Sequence, residues 1–215
     1  MNLFGCVTKL RANMGRPSNS EERRTQIVAA FARVLAERGY EGATISEIAR
    51  AAELRSGLIH YHFASKHEIL LALVERLQQG LEARYRSRLG SDAGDPERAL
   101  EAFIDAHVAL DDDSDGSAVA SWVQIGAEAL HDSDVRALYS EALQERVGEL
   151  RRLFSEVLRA RGASTRGAKD YAAVVSAAIE GSFQIGCAAP DVLPRGFAAK
   201  AIRRVARGLY ESQEP

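Results

Sequence analysis

The chain has 215 residues, of which 46% are hydrophobic and 27% charged, with 5 Pro, 2 Cys and a formal net charge of -2. This length suffices to bury a core, either in one large domain or in a small domain joined to a larger one. Abundant Ala, Leu, Arg and Glu without any alternating apolar and polar stretch predict an all-α protein, and no segment reaches the roughly 20 apolar residues that a bilayer-crossing helix requires.

Cys6 and Cys187 stand almost a chain length apart and form no CxxC pair, so neither a disulfide framework nor a zinc knuckle is expected. A reducing cytoplasm fits that usage. Charge is unevenly spread: residues 1–66 hold 10 Lys and Arg against 6 Asp and Glu, whereas residues 67–215 hold 18 against 24. The front of the chain therefore attracts polyanions and the remainder does not. Met14-Gly15-Arg16-Pro17 reads like a fresh start just ahead of the first good helix, so residues 1–13 are expected to be a disordered arm or an over-extended gene start.

Ser18-Asn19-Ser20-Glu21 is a capping box, after which Ile27, Val28, Phe31, Val34 and Leu35 recur at helical spacing until Gly39 stops the run. Arg16, Arg23 and Arg24 precede or begin this helix, where they either reach phosphates or a minor groove or belong to a solvated tail. A second capping box, Thr44 to Glu47, opens a short helix with Ile45, Ile48, Ala49 and Ala52 on one face. After the tight connection Glu53-Leu54-Arg55, residues 56–63 form a third helix that turns Ile59 and Phe63 toward the other two. Its remaining face carries Ser56, Gly57, His60 and Tyr61, with His62 at the edge and Lys66 just beyond. Such a face hydrogen-bonds with little charge, which suits a major groove better than plain solvation. Gly57 near the helix start either permits close approach to a phosphate or is a local entropic defect costing about 1 kcal/mol. His60 and His62 point about 200° apart on a helix and cannot chelate one ion, even with His67 nearby, so no metal is expected.

Residues 43–70, ATISEIARAAELRSGLIHYHFASKHEIL, resemble the helix-turn-helix of the tetracycline-repressor (TetR) family. The likeness covers about residues 21–81 and implies a dimeric DNA-binding regulator controlled by a small ligand. It places Thr44, Ser56, Gly57, Tyr61, His62 and Lys66 at positions that contact phosphates or bases, with the motif proper at 44–63. Two positions depart from the family's pattern. Arg55 stands where a capping Ser or Thr is usual, and His60 where a Tyr commonly touches the backbone; both still donate hydrogen bonds to phosphate and count as DNA-contact candidates.

Beyond the motif, Ile69, Leu70, Leu73, Val74, Leu77 and Leu81 mark a long fourth helix that links the two parts. Helical runs are then predicted over Pro96–Ala109, Ala118–Leu130, Ser133–Arg161, Thr165–Cys187 and Gly196–Tyr210. The expected organisation is a flexible arm over 1–20, a helix-turn-helix domain over 21–81, and a ligand-binding and dimerisation bundle over 82–215. In the family the last two long helices usually pair with those of a second subunit. The small residues Ala172, Ala173, Ser176, Ala177, Ala178 and Gly181 permit such packing, though equally packing within one chain.

A ligand pocket is expected between helices of the bundle, with Phe103, His107, Trp122, Tyr139, Glu180 and Phe183 as candidates beside Gln124 and Glu128. Trp122, Ile125, Gly126 and Ala129 form a stripe more typical of core than of pocket. The acidic run from Asp111 to Asp115 reads as a solvated loop, since it lacks the spaced ligands and distal Glu of a calcium loop. The stretch from Trp122 to Arg161 is similar to the subgroup that includes the choline-sensing regulator of betaine synthesis, a likeness that does not itself name the ligand. No GxSxG elbow, phosphate-cradling glycine loop, HExxH or Cys/His pair sets out a catalytic site, so neither an enzyme nor a cofactor is expected. The expected partners are a palindromic double-stranded operator, an unidentified small effector and a second copy of the chain. The expected function is that of a repressor released from this operator by the effector; the alternatives are a ligand-independent regulator or an activator with the same DNA-binding domain, or a helical-bundle enzyme.

Overall fold

A computed structural model describes residues 19–90, 94–108 and 116–212. The N-terminal arm with Ser18, Arg16 and Cys6, and the run from Asp111 to Asp115, lie outside the described residues. Among those described there are nine α-helices and no strand, in agreement with the all-α expectation: α1 Asn19–Gly42, α2 Ile45–Ala51, α3 Ser56–His62, α4 Lys66–Leu89, α5 Pro96–Val108, α6 Gly116–Glu128, α7 Ser133–Ala160, α8 Ala168–Ala188 and α9 Phe197–Glu211. None of them is long and apolar enough to cross a membrane.

Local chemistry sets the helix ends. The Thr44 hydroxyl accepts from the Glu47 amide at the start of α2, while the Glu47 carboxylate pairs sideways with Arg50 at 2.6 Å. Asp132 caps α7 by accepting from the amides of Asp134 and Val135. A reciprocal cap opens α4: the Ser65 hydroxyl accepts from Glu68 N, and the Glu68 carboxylate accepts from Ala64 N at 2.7 Å. At the far end of α1 the regular helix breaks at Gly39, whose φ of 70° and ψ of 177° belong to a region essentially reserved for glycine. Tyr40 to Gly42 follow as a further turn rather than as loop.

Two apolar cores result. The first gathers Ile27, Phe31 and Leu35 of α1, Ile48 of α2, Ile59 of α3 and Ile69, Leu70 and Leu73 of α4, all almost fully buried. Trp122 and Ile125 of α6, Ala129 just past its end and Val135 of α7 belong to this same core. The stripe on α6 is thus core, as its spacing indicated, and the core it joins is that of the N-terminal helices. The second core holds Leu100 and Ile104 of α5, Leu150, Phe154 and Val157 of α7, Val175 and Ile179 of α8, and Ala198, Ile202, Ala206 and Tyr210 along one stripe of α9. Helix α4 runs between the two: its first half lies in one core, and Tyr85 and Leu89 near its end pack on the other.

Replacing Gly39 by Ala forces a side chain into that restricted backbone region, even though a Cβ would meet nothing nearer than Gln124 Oε1 at 3.5 Å. The expected loss is about 1–3 kcal/mol, read as a lower urea midpoint with helix content unchanged; a midpoint equal to that of the native chain would contradict the strain argument.

Candidate DNA-binding face and effector site

Helix α1 clamps the short helices from behind. Gln26 Nε2 donates to the Ala52 carbonyl at 2.7 Å and Arg33 Nη2 to the Ala51 carbonyl at 2.8 Å, which satisfies acceptors left open at the end of α2. Arg24 does the same for α3: its guanidinium donates to the His62 carbonyl, lies 4.0 Å from the Phe63 ring centroid and stands 3.6 Å from Glu68. Of the two readings of Arg24 given by the sequence, the tail is therefore replaced by a structural clamp whose side chain remains partly exposed.

With its back held, α3 presents Ser56, Gly57, His60 and Tyr61 to solvent, Tyr61 at 80% exposure. The Tyr61 ring meets His62 edge-on at 5.0 Å. Arg55 precedes the helix, exposed and without a side-chain cap bond, and the exposed Thr44 is engaged in capping α2. Lys66 is less free than its sequence position implies: its ammonium donates to the Tyr40 carbonyl at 2.9 Å and rests 3.9 Å from the Tyr40 ring centroid. Two further protons of that ammonium stay available to an incoming anion. Gly57 has nothing within 4 Å of where a Cβ would stand, and its φ is not positive, so nothing inside the chain requires a glycine there. Among the described residues no three His, Cys, Asp or Glu side chains gather as a metal site requires.

Against the same N-terminal core, four of the six bundle candidates come together. Trp122 Nε1 donates to both oxygens of Glu180, at 3.0 and 3.2 Å, and the Tyr139 hydroxyl donates to Glu180 Oε2 at 2.7 Å. The Trp122 and Tyr139 rings lie 4.7 Å apart. Gly126 leaves them room, for a Cβ there would stand 3.1 Å from the Tyr139 hydroxyl. Burial, reinforced by the bond to Glu180, holds the Tyr139 phenol well above its usual range. Into this box comes Arg146 of α7, its side chain 7% exposed, with Nη1 donating to Glu180 Oε1 and the guanidinium 5.4 and 5.9 Å from the Trp122 and Phe183 centroids.

Sequence reasoning missed Arg146. It stands on the α7 face that also buries Ala142, Leu150, Leu153 and Val157, and a charge in that register is the signal that could have found it. Phe103 and His107 lie on the adjoining side, rings 4.5 Å apart, and His107 and Phe183 line a pocket of about 300 Å³ with Val119, Leu193, Arg195 and Phe197. Gln124 and Glu128 are not part of either site: Gln124 faces Gly39, and Glu128 acts electrostatically on Tyr40.

Residues 27–73 match the family of bacterial regulatory proteins named after tetR, and residues 96–210 match the C-terminal domain of BetI-type transcriptional repressors. The chain belongs to the TetR family. It is a helix-turn-helix transcriptional regulator, of a family whose members are not enzymes. Among its relatives, the regulator BetI of Stenotrophomonas maltophilia is 29% identical over 199 residues, covering 89% of this chain and 92% of that protein. The transcriptional activator FasR of Mycolicibacterium smegmatis is 31% identical over 128 residues, 53% of this chain and 57% of that one. Solved structures share the fold: a transcriptional regulator from Rhodococcus sp. Rha1 (TM-score 0.74, 22% identity, 89% of this chain and 98% of that chain), and a regulator from Saccharomonospora viridis in complex with choline (TM-score 0.70, 24% identity, 88% and 96%).

His107 supplies a test of the pocket's electrostatics. Burial foremost, and the Arg146 charge after it, push its imidazole from an ordinary 6.5 down to about 3, against the opposing effect of a 2.9 Å contact between Nδ1 and the Phe103 carbonyl. The folded chain thus keeps His107 neutral while the unfolded chain takes up a proton below about pH 6.5, so this residue's contribution weakens as pH falls from there toward 3, by about 1.4 kcal/mol per unit. His107→Gln should flatten that slope. Urea melts at pH 7 and pH 5 are expected to show the native chain losing about 2 kcal/mol more than the variant, and equal losses would place His107 in a solvated setting instead.

Proposed function

We propose that the protein is a repressor that binds a palindromic double-stranded operator as a homodimer and leaves it when a small effector occupies the C-terminal bundle. Residues 21–81 serve as the DNA-binding unit with the helix-turn-helix at 44–63, and residues 82–215 as the effector-binding and dimerisation unit; α1 begins at Asn19, ahead of the boundary expected for the arm. Ser56, Tyr61 and His62 face the groove, with Thr44, Arg55, His60 and Lys66 on phosphates and Gly57 leaving room for a phosphate to come close. The observation that supports this reading is the exposed face of Ser56, Gly57, His60 and Tyr61 on α3, where open space beside Gly57 leaves room for the close approach of a phosphate.

One short recognition helix reads too few base pairs for specificity, so a second copy is required. The exposed small and apolar residues Ala173, Val174, Ala177 and Ile185 on α8, with Ala201, Val205 and Gly208 on α9, support pairing through these two helices. Ala172 and Ser176 face inward and serve the chain's own core. Effector binding reaches the DNA unit along two paths: the length of α4, and the seam where α6 packs on α1. A displacement there changes the separation of the two recognition helices from the roughly 34 Å spacing of successive major grooves. The match to FasR, named an activator, supports activation as the second reading of the same DNA-binding unit.

The decisive pair of measurements is thermal stability and operator affinity of Gly57→Ala. Stability should hold or rise, by up to about 1 kcal/mol, because Ala is the better helix former. Affinity for the intergenic DNA beside its own gene should fall at least tenfold; unchanged affinity would remove Gly57 from the interface. Val205→Glu on α9 should convert the dimer to a monomer in light scattering, and an intact dimer would exclude that face.

A further inference from the structure

The box formed by Trp122, Tyr139, Phe183 and Glu180 has the chemistry of a cation receptor: aromatic faces for a diffuse positive charge and a carboxylate to neutralise it. Its cation is already present. The Arg146 guanidinium lies 5.4 Å from the Trp122 centroid and 5.9 Å from that of Phe183, and it is paired with Glu180. The Glu180 oxygens are taken up by Trp122 Nε1, Tyr139 and Arg146 together. A quaternary ammonium such as the choline held by the Saccharomonospora viridis regulator would have to displace this guanidinium. It would then leave Arg146, 7% exposed, without its carboxylate in the interior, an arrangement proteins avoid.

The space that remains open lies beside the box and differs from it in character. The pocket of about 300 Å³ is walled mainly by Val119, Phe183, Leu193 and Phe197, with His107, Ser182, Cys187 and Arg195 as its polar side chains and no carboxylate in its lining. A cation entering there would lose hydration and gain no counter-charge.

We propose that Arg146 sets the effector class of this regulator: it is the resident cation of the aromatic box, shuts quaternary ammonium compounds out, and leaves the neighbouring apolar pocket to an effector without positive charge. The inference rests on the reading that the bundle binds an effector, but its test needs no DNA, so failure of operator binding and failure of this assignment are separable.

Trp122 is the only tryptophan and forms a wall of the box, so its emission reports directly on occupancy. The native protein, titrated with choline chloride or tetramethylammonium chloride against sodium chloride at equal ionic strength, should show no saturable change in emission and no rise in melting temperature. R146A, which vacates the cation position and leaves Glu180 in place, should bind both salts saturably and at least tenfold more tightly than the native chain. R146K keeps a cation in the box and should remain as unresponsive as the native protein, while R146A/E180Q should lose the gained binding. Circular dichroism checks that each variant is folded, and R146M replaces R146A should the smaller side chain unfold the bundle. Saturable choline binding by the native protein would overturn the assignment, as would a folded R146A or R146M that responds no more than R146K.

Discussion

Helix α1 is buried on two sides, and most of the architecture follows from that constraint. One side closes over α2, α3 and the first half of α4 through Ile27, Phe31 and Leu35; the other receives α6 through Trp122 and Ile125, with Ala129 just past its end. The Ser121 hydroxyl, fully buried, donates to the Ala32 carbonyl at 2.9 Å across this seam. Interiors packed at crystal-like density transmit displacement instead of absorbing it. The unit that faces DNA and the unit that faces the pocket consequently share one wall, and α6 cannot shift without α1 and the short helices clamped to it.

Burying Arg146 with Glu180 follows a different logic. Taking both charges out of water costs several kcal/mol, which their attraction and hydrogen bonds only offset, so such a pair is a poor source of net stability. What it supplies is a defined arrangement: Trp122 of α6, Tyr139 and Arg146 of α7 and Glu180 of α8 are drawn to a single carboxylate. Three helices are registered at a point where apolar side chains alone would tolerate sliding. Because Trp122 also belongs to the N-terminal core, the polar box and the DNA-facing unit are one side chain apart.

Much of this was legible from spacing. Apolar periodicity gave the order and type of the helices, and Thr44 with Glu47 located the start of α2. At Ser65 and Glu68 the same cap signature lies three residues apart and opens α4. Periodicity assigns a residue to a face but not to a partner. Hence Phe103 pairs with His107 while Trp122 pairs with Tyr139, Gln124 turns toward Gly39, and Ala172 and Ala173, neighbours in sequence, divide between interior and surface. The register of α7 marks Arg146 as a buried charge, but its partner was illegible for a related reason: the counter-ion is 34 positions away on another helix, and only the fold makes the pair.

The clamps behind α3 bear on how the protein meets ions in its surroundings. Lys66 on the Tyr40 ring and carbonyl, Arg24 on Phe63 and His62, and Gln26 on Ala52 rely on ring faces and backbone acceptors at close range. Contacts of this kind are screened weakly, whereas phosphate contacts depend on counter-ion release and fade steeply as salt rises. Cohesion and grip therefore differ in ionic sensitivity: added salt weakens contacts to phosphate well before it weakens the packing that holds α3 in place.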